Sequence, residues 1–184
     1  MPYPYREEQV VFKNEKAGIR LAGTLTLPQG NGPFPAVVLV SGSGYQDRNE
    51  ELMEHKPFLV IADALTRAGI AVLRYDDRGV GESEGSTQGN TTQDLSYDAQ
   101  AALHYLKSRS DISLAGIAGH SEGGAIAFIV AARSEKCDCV VSLAGPGVRG
   151  DKLLSSQQRA IYSASGIPAA QVEQIVAANR VLFD

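Results

Sequence analysis

The apolar run Val10-Val11-Phe12 and the alternating stretch from Ile19 to Leu27 predict two strands joined by a turn near Lys16-Ala17-Gly18. A Gly/Pro-rich connection runs from Pro28 to Pro35. Ala36-Val37-Val38-Leu39-Val40 is apolar throughout, the pattern of a strand buried on both faces, and it ends in Ser41-Gly42-Ser43-Gly44. Between Lys56 and Ala68 the apolar positions Phe58, Ile61, Ala62, Leu65 and Ala68 keep helical spacing, with Gly69 as a C-terminal stop. Ile70 to Tyr75 is a further buried strand. Thr92 is expected to cap a helix whose apolar face is Leu95, Ala99, Ala102, Leu103 and Leu106. Ile112 to Ala118 predicts a strand, Gly124 to Val130 a helix, and Cys139 to Leu143 the next strand.

The middle of the chain therefore alternates strand and helix, which predicts an α/β fold: a mostly parallel, doubly wound sheet with right-handed crossovers. Sites in such sheets form beyond the C-terminal ends of the strands. The Ser41–Gly44 loop, the Asp76–Ser83 loop and Ser121 all fall at that rim. Beyond Gly145-Pro146-Gly147 the pattern changes. Leu153, Leu154, Ala160, Ile161 and Ala164 mark one amphipathic helix, and Pro168 opens another that carries Val172, Ile175, Val176 and Asn179 toward Leu182 and Phe183.

Composition narrows the classes of function. The 184 residues suit one core, with 43% apolar and 21% charged positions. A net charge of −4 supplies no footprint for nucleic acid or an anionic membrane. No apolar run approaches the length of a membrane span, and the first residues lack the apolar core of a signal peptide. The expected location is cytoplasmic, or exported with the signal already removed. Cys137 and Cys139 are expected to fill a strand as small apolar residues; a disulfide across so short a loop would be strained, and a lone C-x-C is a poor metal site.

The chemistry lies in Gly119-His120-Ser121-Glu122-Gly123, a G-x-S-x-G sequence between a strand and a helix. A serine at such a turn projects its hydroxyl above the sheet edge, and the glycines remove side chains where strand and helix nearly touch. Ser121 is thus a candidate nucleophile, with Gly119 and Gly123 as the elbow glycines.

Taken together, three motifs resemble the α/β-hydrolase superfamily, in particular bacterial esterases and serine-aminopeptidase-like members. Val40 to Gly44 resembles the oxyanion loop after the third strand, with Ser41 where many members have histidine. Asp77-Arg78-Gly79-Val80-Gly81-Glu82-Ser83 is similar to the loop after the fourth strand, and Gly119 to Gly123 to the elbow after the fifth. The resemblance covers roughly residues 9 to 147 and implies about six strands of the fold, with the C-terminal strands missing. Residues 1–147 correspond to the N-terminal part of the core, and 148–184 to the start of a helical lid.

The resemblance also implies an oxyanion hole made by the backbone N–H groups of Glu122 and Ser43, with Gly44 as the alternative to Ser43. Gly42, Gly44, Tyr45 and His120 are pocket-lining candidates, although Tyr45, Gln46, Asp47 and Arg48 equally suit a solvated loop. Family members place an acid and a histidine after the nucleophile, and no histidine follows Ser121 here. His120 is expected to point away from Ser121 into packing. His104 lies off the apolar stripe, on a solvated face, and His55 is a helix-start residue among acids. Asp76, Asp77 and Arg78 are expected to brace their loop. The stripe from Leu153 to Phe183 suits either an acyl-binding wall or ordinary helix packing.

The expected activity is hydrolysis of a small carboxylic ester through an acyl-enzyme on Ser121, with no metal or organic cofactor. Peptide, thioester and lactone substrates stay open. The competing expectation is an inactive fragment, cut off within the lid, or a binding module. Its last strand would then be an open apolar edge inclined to self-association.

Overall fold

The structure, a computed structural model, describes residues 3–180. It divides into two compact units, with the boundary between Gly145 and Pro146. In the first unit β1 (Arg6–Asn14) and β2 (Ile19–Leu27) form an antiparallel hairpin. Its turn closes on one side chain: Asn14 Oδ1 accepts from the N–H groups of Lys16 and Ala17 at 3.0 and 3.1 Å. The remaining strands are β3 (Phe34–Val40), β4 (Ala71–Tyr75), β5 (Ile112–His120) and β6 (Val140–Leu143). Together the six make one sheet in the order β1-β2-β4-β3-β5-β6. β2 runs antiparallel to β4, whereas β4, β3, β5 and β6 are mutually parallel.

Parallel strands buried on both faces need mostly apolar residues, and β3 and β4 supply them apart from the buried Arg74 of β4. Val38, Val40, Leu73 and Ile117 face the larger core, with α2 (Thr92–Ser108) and α3 (Glu122–Arg133) packed on them through Ala99, Ala102, Leu103, Leu106, Ile126 and Val130. The alternate residues Val37, Leu39, Val72 and Ala118 face the opposite way, against Phe58 and Ala62 of α1 (Pro57–Arg67). Each fully buried Leu or Val contributes roughly 1.5–3 kcal/mol relative to exposure.

Two expectations need correction. Thr91, not Thr92, caps α2: its hydroxyl accepts from the Asp94 N–H at 3.2 Å, and the Asp94 carboxylate accepts from the Thr91 N–H at 3.0 Å. The reciprocal pair satisfies two helix-start donors, which Thr92 could do only one residue late. Cys137 and Cys139 lie in the loop before β6 rather than in a strand; both are free thiols, and Cys139 is exposed. The Asp138 carboxylate between them accepts from the Ala115 N–H at 2.7 Å, holding the loop against β5 before the ladder begins.

The second unit is a helix pair, α4 (Gly150–Ala164) and α5 (Ala169–Arg180), braced by a bidentate Arg159–Glu173 ion pair. Leu182 and Phe183 lie outside the described residues.

One polar cluster crosses the first core. Asp98 of α2 is buried, takes two hydrogen bonds from Arg78 at 2.6 and 2.9 Å and one from Asn14 at 2.6 Å, and so joins β1, α2 and the loop after β4. Asp98→Ala would strand the Arg78 charge in the interior, and urea unfolding is expected to show a loss of about 3–5 kcal/mol. Arg20→Ala, which breaks only an exposed pair with Glu84, is expected to move the midpoint little in the same experiment.

Candidate active site

β5 runs into Ser121 and the chain turns at once into α3, leaving Ser121 at φ 52° and ψ −118°. Non-glycine residues rarely adopt that backbone, at a cost of order 1–3 kcal/mol. The neighbours hold it there. A Cβ on Gly119 would overlap the Gly123 carbonyl, and one on Gly123 would overlap the carbonyls of Val40 and Ser41. Strand, turn and helix can cross so closely only because both positions lack a side chain. The Ser121 N–H donates to the Leu143 carbonyl at 2.9 Å, tying the turn to β6.

The loop after β3 meets this turn at Gly42, where an added Cβ would lie 3.1 Å from the Ser121 Cβ and 3.3 Å from His120 Nδ1. Ser41, one residue earlier, turns its hydroxyl to Asp77, with the two carboxylate oxygens at 2.9 and 3.1 Å. Ser43, Gly44 and Tyr45 follow on the exposed side of the loop, Tyr45 with 47% of its surface open. Among the described residues, the backbone N–H groups of Ser43 and Glu122 donate to no protein acceptor. The Glu122 carboxylate accepts from the Thr92 hydroxyl at 2.6 Å, which holds it against the start of α2.

The loop after β4 braces the rim. Arg48 clamps the Asp76 carboxylate with its guanidinium at 2.6 and 3.0 Å and with its own N–H at 2.8 Å, and it also reaches Glu82, Gln9 and Thr24. Arg48 is therefore a strut, a role distinct from both pocket wall and solvated loop. Burial works against the Asp76 charge, but the Arg48 bonds outweigh it and leave the carboxyl below its ordinary range. Asp77 goes the other way. Burial pushes its pKa up to about 6, against the lowering effect of hydrogen bonds from the Gln46 N–H and the Ser41 hydroxyl.

His120 departs from expectation: its side chain is 46% exposed, and Nδ1 lies 2.8 Å from Glu50 Oε1 instead of packing into the interior. Glu50 was hidden in the sequence among the acids before His55, with no motif to mark it. His55 is exposed and lies just before the Lys56 cap of α1, its backbone paired with Leu52, rather than in the helix start expected for it. His104 is half-buried, which lowers its pKa, and lines a groove of about 580 Å³ with Phe12, Lys16, Tyr97 and Tyr105, none of them at the Ser121 rim. Among the described residues, no histidine or carboxylate side chain hydrogen-bonds to Ser121. No described helix is long and apolar enough to cross a membrane.

Residues 52–181 match the hydrolase family described as serine aminopeptidase, S33. The chain belongs to this family of α/β hydrolases. It is 39% identical over 143 residues to the esterase EstD of Thermotoga maritima, covering 78% of this chain and 34% of that protein. It is 32% identical over 130 residues to the putative hydrolase YtaP of Bacillus subtilis, covering 61% and 44%. The chain thus spans less than half the length of these relatives. An esterase of Pyrococcus furiosus has the same fold, with a TM-score of 0.68 at 22% identity over 92% of this chain and 60% of that one.

Within this hydrolase rim, Asp77 gives a pH test. Its folded pKa lies above the ordinary carboxylate value, so the native state holds more protons than the unfolded chain between about pH 4 and pH 6. Stability supplied by the protonated form is therefore lost as pH rises through that window, by about 3 kcal/mol for a shift of about two units. Asp77→Asn cannot titrate. Urea unfolding from pH 4 to 7 is expected to show the variant gaining on the wild type as pH rises; parallel profiles would contradict the assignment.

Proposed function

We propose that this chain carries the nucleophile of a serine acyl hydrolase acting on small carboxylic esters, through an acyl-enzyme on Ser121. The carrying observation is the strained turn at Ser121, with Gly42 against its Cβ and the Ser43 and Glu122 N–H groups unclaimed by protein acceptors. In the reaction the Ser121 oxygen attacks the ester carbonyl, and the carbonyl oxygen becomes an oxyanion held by these two N–H donors. The alcohol leaves with a proton, and water then releases the acid. Ester rather than peptide is favoured because the relative EstD is an esterase. Thioester and lactone substrates share the same chemistry.

The base and the orienting acid are assigned to no residue. None of the three histidines bonds to Ser121, so the chain acting alone is expected to turn over slowly, with losses on the order of 10⁶-fold when a triad lacks its histidine. This supports the companion reading of a weakly active or inactive chain. The outer side of β6, with Val141 and Leu143 exposed, has no strand beside it among the described residues and favours antiparallel pairing of two copies of this chain. Residues 148–184 read as the start of a helical lid.

A fluorophosphonate is expected to add once per chain, slowly because no base is assigned to Ser121, with Ser121→Ala unlabelled. Absent labelling, or labelling that persists in the variant, would overturn the nucleophile. Light scattering on the eluting peak is expected to give twice the chain mass; a monomer at all concentrations would overturn the paired edge.

A further inference from the structure

Glu50 occupies a place that its surroundings make at some conformational cost. Its backbone sits at φ 51°, in the left-handed region that non-glycine residues seldom enter, and the residue is buried. The turn that delivers it is held from several sides. The Glu50 N–H donates to the Asp47 carbonyl at 2.9 Å, and one Asp47 carboxylate oxygen accepts from the N–H groups of Asn49 and Glu51 at 3.1 and 3.0 Å. The Asn49 side-chain oxygen accepts from the buried Arg74 guanidinium of β4, and the Asn49 carbonyl accepts from the N–H of Phe58, whose ring is in the core. Arg48 is fastened to Asp76 as described. A surface turn has no need of so many ties; these fix one carboxylate in one position.

That carboxylate uses a single oxygen twice. Glu50 Oε1 accepts from the Gly42 N–H at 2.7 Å and lies 2.8 Å from His120 Nδ1. Gly42 belongs to the loop after β3, and His120 is the last residue of β5, next to Ser121. The two elements that must meet around a reacting carbonyl are joined through one atom. Two consequences follow from hydrogen-bond chemistry. A carboxylate cannot donate, so Nδ1 must carry the proton, and neutral His120 is held in the Nδ1–H tautomer with the Nε2 lone pair free. The Gly42 N–H is also consumed, which turns that peptide toward Glu50 and leaves the next N–H groups, those of Ser43 and Gly44, as open donors of the loop among the described residues.

We propose that Glu50 is a positioning residue that locks the loop after β3 onto the nucleophile turn by holding Gly42 and His120 on one carboxylate oxygen. The inference rests on the acyl-transfer reading for its kinetic consequence, but the link itself has readouts independent of turnover. Long-range proton–nitrogen correlation spectra of the intact chain above pH 8 report the His120 tautomer, and amide exchange reports the Gly42 hydrogen bond. In the wild type we expect His120 protonated at Nδ1 and a slowly exchanging Gly42 amide. Glu50→Ala is expected to return His120 to the Nε2–H form common in water and to speed Gly42 exchange at least about 10-fold. Glu50→Gln keeps an acceptor oxygen at the same reach, so it is expected to fold and to retain both signatures in large part.

Labelling of Ser121 by a fluorophosphonate should follow the same order. We expect a rate about 10-fold or more lower in Glu50→Ala at an unchanged apparent affinity, with most of the rate restored in Glu50→Gln, because a donor displaced by a fraction of an ångström stabilises the oxyanion poorly. A wild-type His120 found mainly as Nε2–H would overturn the link. Folded Glu50→Ala reacting at the wild-type rate would overturn the positioning role. A wild-type Ser121 that never reacts, beside intact tautomer and exchange signatures, would sink the nucleophile reading while upholding the Glu50 link.

Discussion

The backbone crossing at Gly119 and Gly123 governs the rest of this molecule. The end of β5, the start of α3 and the carbonyls that close β3 approach so nearly that neither position could carry even a methyl group. The turn between them can be made only by forcing Ser121 into left-handed backbone. That strain is sustained by the buried apolar layers on both faces of the sheet and by the Ser121 N–H bond to β6. Once the crossing forms, Ser121 sits at the turn between β5 and α3, and the Gly124 N–H closes the turn on the Ser121 carbonyl at 2.9 Å. Geometry and strain thus come from one steric constraint.

Around that crossing, the rim is built from carboxylates with opposed fates. Asp76 is kept charged by Arg48, and Asp98 is engaged by Arg78 and Asn14, so both act as struts between elements distant in sequence. Asp77 has only a hydroxyl and an N–H for company, and its burial favours the proton. Glu50 spans the β3 loop and His120. The loops at this rim are irregular yet tied at nearly every turn, which makes a rigid rim from segments without regular hydrogen bonding.

Much of this was legible in the residues. The apolar runs at Ala36–Val40 and Ile70–Tyr75, the helical spacing after Lys56 and the glycines flanking Ser121 each report a local constraint, and each element appeared within a residue or two of its expected place. The family resemblance rested on those same residues. The struts were not legible. Glu50 meets Gly42 and His120 across 8 and 70 positions, and Asp98 meets Asn14 across 84, and no periodicity encodes such pairings. A residue just before a nucleophile turn is expected to point away from the serine into packing; for His120 a carboxylate supplied by a distant turn holds the side chain partly exposed instead. The Thr91 cap was misplaced by one residue because Thr91 and Thr92 are chemically alike, and only the Asp94 partner distinguishes them.

The proposed role of Ser121 as a nucleophile rests on the strained turn that holds it. Peptide mapping by mass spectrometry after extended exposure of the folded chain to p-nitrophenyl acetate tests that role. One acetyl group is expected on the peptide carrying Ser121, absent there when the chain is first unfolded in urea. Acetyl groups on lysines alone, or equal modification of the Ser121 peptide in folded and unfolded chain, would overturn it.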